Sequence, residues 1–121
     1  MQLNLKSSKP IYIQIAEGIE EDILNNILKE GEKAYSQYQV ASEYEINPAT
    51  AAKGIKKLEQ ENILYKKRGL GMFISEGARK VIMDKRKEKF ISEILIEMIK
   101  EGKKIGLEKD DILKIITEME A

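Results

Sequence analysis

The 121-residue chain contains no histidine, no cysteine and no tryptophan, and only two prolines and two phenylalanines. Without histidine and cysteine, Ser-His-Asp and Cys-His catalysis, structural zinc sites and disulfides are all excluded. No Walker A sequence, G-x-G-x-x-G run or calcium-loop pattern is present. Together these gaps argue against an enzyme and leave no cofactor or metal to expect. Met1 to Pro10 lacks the apolar core of a signal peptide, and no stretch approaches the ~20 apolar residues of a membrane span, so a soluble, cytoplasmic protein is expected. An excess of one charge is missing as well: 21 Lys and Arg stand against 21 Asp and Glu. On totals alone, nothing announces a nucleic-acid binder. With 6% aromatic residues, the core must come from Ile, Leu, Val, Met and Ala, which favours a mainly helical fold.

Helical periodicity is clear from the start. After Ser8-Lys9-Pro10, where a cap-type residue precedes a proline suited to a first helical turn, Ile11, Ile15, Ile19, Ile23 and Ile27 recur every fourth residue. The spacing predicts a helix that stops near Asn25-Asn26, since Asn tolerates the left-handed conformation that closes helices. Ser36-Gln37-Tyr38-Gln39 has the S-x-x-Q form of a capping box, predicting a short helix over 37–44. Glu45-Ile46-Asn47 then reads as a tight turn, with Asn47 capping a third helix that begins at Pro48 and ends near Asn62. Two short helices joined by such a turn form a helix-turn-helix, whose second helix can enter a DNA major groove. Ile63 to Lys67 and Met72 to Ile74 read as strands around Arg68-Gly69-Leu70-Gly71, a hairpin placed as a wing.

Beyond a joint at Glu76-Gly77, a helix is expected over roughly 78–101, with Phe90, Ile91, Ile94, Leu95, Met98 and Ile99 on one apolar stripe. Gly102 and Gly106 break the pattern. A last helix over about 109–120 carries Ile112 and Ile116 in its apolar set. Two helices cannot bury such stripes alone, so a second copy of the chain is the natural partner. The expected fold class is mainly α with a small β-hairpin: a winged helix-turn-helix over residues 1–77 and a helical dimerisation module over 78–121.

Charge is segregated along the chain. From Glu17 to Glu45 eight acids face two bases, a balance of −6; from Lys53 to Gly71 six bases face two acids, a balance of +4. A second basic run, Arg79 to Lys89, has six bases against two acids. Positive charge on a recognition helix and wing is the electrostatic footprint of a DNA-binding element. The candidate DNA contacts are Ser36, Gln37 and Tyr38 at the start of the second helix; Asn47, Ala49, Thr50, Lys53 and Lys57 on the third; and Lys66, Lys67, Arg68 and Gly69 at the wing. For each a plainer role competes: Ser36 is first a helix cap, Tyr38 could pack between helices, and Gly69 serves the turn.

Pro10-Ile11-Tyr12-Ile13-Gln14-Ile15-Ala16, Asn47-Pro48-Ala49-Thr50, Leu58-Glu59-Gln60-Glu61-Asn62-Ile63 and Arg68-Gly69-Leu70-Gly71-Met72-Phe73-Ile74 resemble, in order, the N-terminal region of GntR-family transcription regulators. The short two-helix tail resembles that of the YtrA-like subfamily. The resemblance implies a winged helix-turn-helix homodimer on a palindromic operator, usually a repressor, often of transporter operons. This chain departs from it where the family often has arginine, with Tyr38 in the second helix and Pro48 and Ala52 in the third, and it has Asn26 and Asn62 where the family often has glycine. The missing arginines and the acidic first helix keep a second reading in view, a winged-helix interaction module that has lost DNA binding.

Overall fold

A computed structural model describes residues 2–120. The elements are α1 (Ile11–Leu24), α2 (Gln37–Tyr44), α3 (Pro48–Gln60), β1 (Leu64–Lys67), β2 (Gly71–Ile74), α4 (Ala78–Lys89), a π-helical segment (Phe90–Leu95), α5 (Ile96–Lys104) and α6 (Lys109–Glu118). They form two compact units, Met1–Met83 and Asp84–Ala121. No helix among the described residues is long and apolar enough to cross a membrane.

In the first unit, the isoleucine row of α1 buries Ile15, Ile19 and Ile23 against Leu58 of α3, Ile63, Leu64 of β1, Ile74 of β2 and Ile82 of α4. The row outruns its helix. The chain turns at Asn26 (φ 60°), and Ile27, expected on the buried face, is 63% exposed. The N-terminal cap also differs from expectation: Pro10 itself is the cap residue and Ser8 plays no part. The Gln14 side chain ties down the preceding segment instead, donating to the Asn4 and Lys9 carbonyls and accepting from the Asn4 N–H.

The capping box of α2 is formed as its sequence predicts. Gln39 N–H donates to Ser36 Oγ at 3.0 Å and Ser36 N–H to Gln39 Oε1 at 2.8 Å. Asn47 accepts from Ala49 N–H at 2.8 Å, with Pro48 in the first turn, where its missing N–H costs nothing. Between the two helices, Glu45 is left-handed (φ 53°), a conformation its side chain did not advertise. Gly54 sets the crossing of α1 and α3: a Cβ there would lie 2.7 Å from the Tyr12 carbonyl oxygen.

The wing pairs Leu64 with Ile74, Tyr65 with Phe73, Lys66 with Met72 and Lys67 with Gly71. A third stretch, unforeseen in the sequence, lies along β2: Gly31 N–H donates to the Ile74 carbonyl, Ile74 N–H to that of Glu32, and Ala34 N–H to that of Met72. The first unit extends past the expected joint into α4, whose Ala78 and Ile82 are fully buried in its core. A clasp fastens this helix start. The Glu30 carboxylate accepts from Gly77 N–H, while the Arg79 guanidinium donates to the Leu24 carbonyl that ends α1.

In the second unit, the chain continues from α4 through the π-helical segment, where Ile96 N–H reaches back to the Ile91 carbonyl, into α5. Gly102 does not break this helix, contrary to the pattern in the sequence. It is buried inside α5, where a Cβ would meet the end of the Ile112 side chain of α6 at 2.8 Å and nothing else closer than 3.5 Å. Gly106 (φ 85°) turns the chain, and Glu108 and Asp111 close a capping box that starts α6.

Candidate nucleic-acid interface

The phase of α3 decides which side chains face outward. Ala51, Gly54, Ile55 and Leu58 are buried toward α1, α2 and β1, leaving Ala49, Lys53 and Lys56 exposed on the opposite side and Thr50 and Lys57 half-buried at its margin. The outer face is therefore small at its N-terminal end and basic along its middle. Its bases are held rather than loose. Lys53 Nζ sits 4.1 Å from the centroid of the Tyr12 ring, a cation–π contact, and Lys57 Nζ lies 2.6 Å from Glu61 Oε2.

At the start of α2, the Ser36 hydroxyl is engaged as the cap, so its Oγ is already an acceptor in a backbone bond. Gln37 is half-buried beside it, and Tyr38 is 68% exposed, which removes packing between helices as its role. The Asn47 side-chain oxygen is likewise taken by its cap. These two polar residues fix helix starts.

The wing turn is held by Leu70 N–H on the Lys67 carbonyl at 2.9 Å, with Gly69 (φ 77°) and Gly71 (φ 106°) in conformations that L side chains rarely adopt. Lys66 and Arg68 are exposed. Lys67 folds back over the Phe73 ring at 4.2 Å, so it braces the strand pair as well as carrying charge. Lys33, which the sequence places among acids, comes to the wing through an isolated antiparallel bridge to Phe73, its Cε 3.1 Å from where a Gly71 Cβ would be. Only backbone pairing brings it there, and that leaves no mark in the sequence. Within the run Arg79 to Lys89, the Arg79 guanidinium is spent on the end of α1.

The chain is similar over nearly its whole length to known regulators. It is 35% identical over 114 residues to an uncharacterized HTH-type transcriptional regulator, YhcF of Bacillus subtilis, covering 94% of this chain and 93% of that protein. It is also 35% identical over 121 residues to the HTH-type transcriptional repressor YtrA of B. subtilis, covering 100% of this chain and 92% of that one. Among solved structures, a GntR-family regulator from Bacteroides thetaiotaomicron superposes with a TM-score of 0.75 at 31% identity, over 89% of this chain and 94% of that one. The chain belongs to the GntR family, in its YtrA-like group. No family model matches it.

Membership makes this GntR protein a transcription regulator rather than an enzyme. Its two-helix motif and wing correspond to α2, α3 and the β1–β2 hairpin. The family's frequent glycines are replaced here by Asn26 and Asn62, and both do adopt the left-handed conformation (φ 60° and 62°). At Tyr38, Pro48 and Ala52, where the family often carries arginine, this GntR protein offers a phenol, a ring and a methyl group. Bidentate recognition of guanine from those positions is thereby ruled out.

Proposed function

We propose that this GntR regulator is a homodimeric repressor that reads a palindromic operator with α3 in the major groove and its wing on the flanking backbone or minor groove. The observation that carries the DNA-binding part is the outward face of α3. A capped helix presents Ala49 and Thr50 first and Lys53 next, a small N-terminal end able to approach base edges backed by positive charge for phosphate. Lys66, Arg68 and Gly69 at the wing, with Ser36, Gln37 and Tyr38 at the start of α2, extend the same surface.

Dimerisation is supported by the second unit. Phe90, Ile91, Ile94, Met98 and Ile116 are exposed there, Leu95, Ile99 and Ile112 are half-buried, and Gly102 is the sole buried residue among those described. An apolar stripe of that extent on a short helical hairpin is stabilised by covering it, and the same stripe on a second copy is self-complementary. The repressor sense is that of the relative YtrA.

The test is selection of bound sequences from a random DNA pool, followed by a polarisation titration of the selected site at ~50 and ~200 mM salt. About six phosphate contacts on a dimer, from Lys53, Lys66 and Arg68 of each protomer, correspond to roughly a 10³-fold loss of affinity over that interval. Recovery of an inverted repeat with that salt dependence is the expected result. No enriched sequence, with negligible binding at either salt, would instead favour a protein-interaction module.

A further inference from the structure

Between the end of α1, Tyr35 and α2, the first unit holds a cleft of about 300 Å³. Its walls carry two carboxylates, Asp22 and Glu43, two phenols, Tyr35 and Tyr44, the amide of Gln39, and at the rim the exposed apolar Ile27. No lysine or arginine lines it. Asp22 is only 7% exposed, and the Tyr35 hydroxyl donates to its Oδ2 at 2.6 Å. A carboxylate buried this deeply is ordinarily balanced by a cation, and the cleft walls supply none.

The chemistry of the walls defines what fits. Two carboxylates, one from α1 and one from α2, suit ammonium groups at two ends of a short chain. Ile27 and Val40 in the lining suit the hydrocarbon between them. A metal ion is a poor match, since no group of three metal-ligating side chains comes together among the described residues. Burial, then the neighbouring negative charge, raises both phenols above their ordinary range, Tyr35 chiefly through Asp22 and Tyr44 through Glu43. With two carboxylates and no basic side chain in its lining, the cleft is acidic in composition.

We propose that this cleft binds a small aliphatic diamine or a related organic ammonium ion, and that occupancy alters operator affinity through α2. Gln39 makes the link, because the residue that lines the cleft also closes the Ser36 capping box at the α2 N-terminus, in the same turn as Gln37 and Tyr38. An ammonium that draws on the Gln39 oxygen loosens that cap. The link to DNA rests on the function proposed above, whereas ligand binding itself does not.

The test uses the full chain and butane-1,4-diamine, with butane-1,4-diol as the uncharged control, followed by backbone amide shifts. Saturable shifts at Asp22, Ile27, Tyr35, Glu43 and Tyr44 with the diamine but not the diol are expected, weakened about ten-fold or more in Asp22→Asn and in Glu43→Gln through loss of a charge-assisted bond. Glu43 is exposed, so its variant decides the matter if Asp22→Asn does not fold. Absence of saturable shifts, equal shifts with the diol, or full affinity in Glu43→Gln overturns the site. In a parallel titration on the selected operator, the diamine should change wild-type affinity more than that of Glu43→Gln. Equal changes overturn the link while leaving the site, and no DNA binding with or without diamine tells against the function itself.

Discussion

Gly54→Ala adds one methyl group at the crossing of α1 and α3. The new Cβ would lie 2.7 Å from the Tyr12 carbonyl oxygen and 3.0 and 3.1 Å from Cγ2 and Cβ of Ile15. The first of these is backbone, so no rotamer change relieves it and α3 must move away from α1. Overpacking costs about 1–3 kcal/mol, and a backbone clash that no rotamer relieves puts it in the upper part of that range, about 2–3 kcal/mol; alanine's helix preference over glycine returns about 1 kcal/mol, leaving a net loss of about 1–2 kcal/mol. All five tyrosines, Tyr12, Tyr35, Tyr38, Tyr44 and Tyr65, lie in the first unit, so tyrosine fluorescence during urea unfolding reports on that unit. At fixed protomer concentration the midpoint should fall by roughly 0.5–1 M with an unchanged slope, and Tm by about 4–15 °C. Gly102→Ala is the control, because its closest neighbour, Ile112 Cδ1 at 2.8 Å, is the end of a rotatable side chain. That variant should be neutral or up to ~1 kcal/mol more stable by far-ultraviolet dichroism. A Gly54→Ala protein with an unchanged or raised midpoint refutes the view that this glycine sets the helix spacing.

Three further outcomes follow from the same structure. Replacing Lys66 and Arg68 by alanine should flatten the salt dependence of operator binding by about 0.9 in log–log slope for each phosphate no longer neutralised; Lys67 is better left in place, since it also braces Phe73, and an unchanged slope would remove the wing from the interface. Ile94→Asp places a charge on the exposed stripe of the second unit and should yield monomer mass in sedimentation at micromolar concentration, whereas an intact dimer would move the interface elsewhere. The Tyr35 phenol is raised, by burial first and then by its bond to Asp22, so its stabilising effect is complete below the ordinary tyrosine value near 10 and is lost as pH climbs above it. Tyr35→Phe should therefore show a shallower loss of stability above about pH 10, together with a loss of about 1–3 kcal/mol at neutral pH from the bond to Asp22. Identical alkaline slopes would show that the phenol is not held neutral in the folded state.

What could be read from sequence was local side-chain chemistry. Ser36 with Gln39, and Asn47 with Pro48, mark helix starts because their side chains bond to backbone within three residues, and the structure holds those bonds. Asn26 and Asn62 signal left-handed turns for a similar reason. Three features stayed hidden because their cause is distant or lies in the backbone alone. The stretch 31–34 lies along β2 through main-chain bonds around an isolated bridge between Lys33 and Phe73, and these bring Lys33 to the wing. The Glu30 and Arg79 clasp joins residues far apart in the chain, so Arg79 looked like surface charge. The π-helical turn at Phe90–Leu95 has no residue signature at all. Gly102 misleads for the opposite reason: its low helix propensity is legible, but not that it lies buried within α5 with Ile112 of α6 packed over it.

Equal numbers of acids and bases need not weaken a DNA-binding surface if the two signs occupy different elements, and here the acids crowd α1 and the cleft beside it while the bases lie on α3 and the wing. Several of those bases are already engaged, Lys57 with Glu61 and Lys53 over Tyr12. Partly exposed pairs of this kind are worth ~0–1 kcal/mol, so phosphate can recruit the same side chains at little cost. On the docking of α3 proposed above, the lack of arginine at Tyr38, Pro48 and Ala52 removes bidentate contacts, each worth about 1–3 kcal/mol, that would strengthen binding within one half-site. In that proposed docking, Ala49 and Thr50 would offer a thymine methyl contact and single hydrogen bonds, which discriminate less per contact. A protomer reading DNA this way gains most from a tethered second copy, because linking two weak half-site interactions raises the effective concentration of the second. The exposed stripe of the second unit and the absent arginines of the first are therefore energetically connected: the fewer strong contacts each α3 makes, the more operator binding depends on the dimer that this stripe would form.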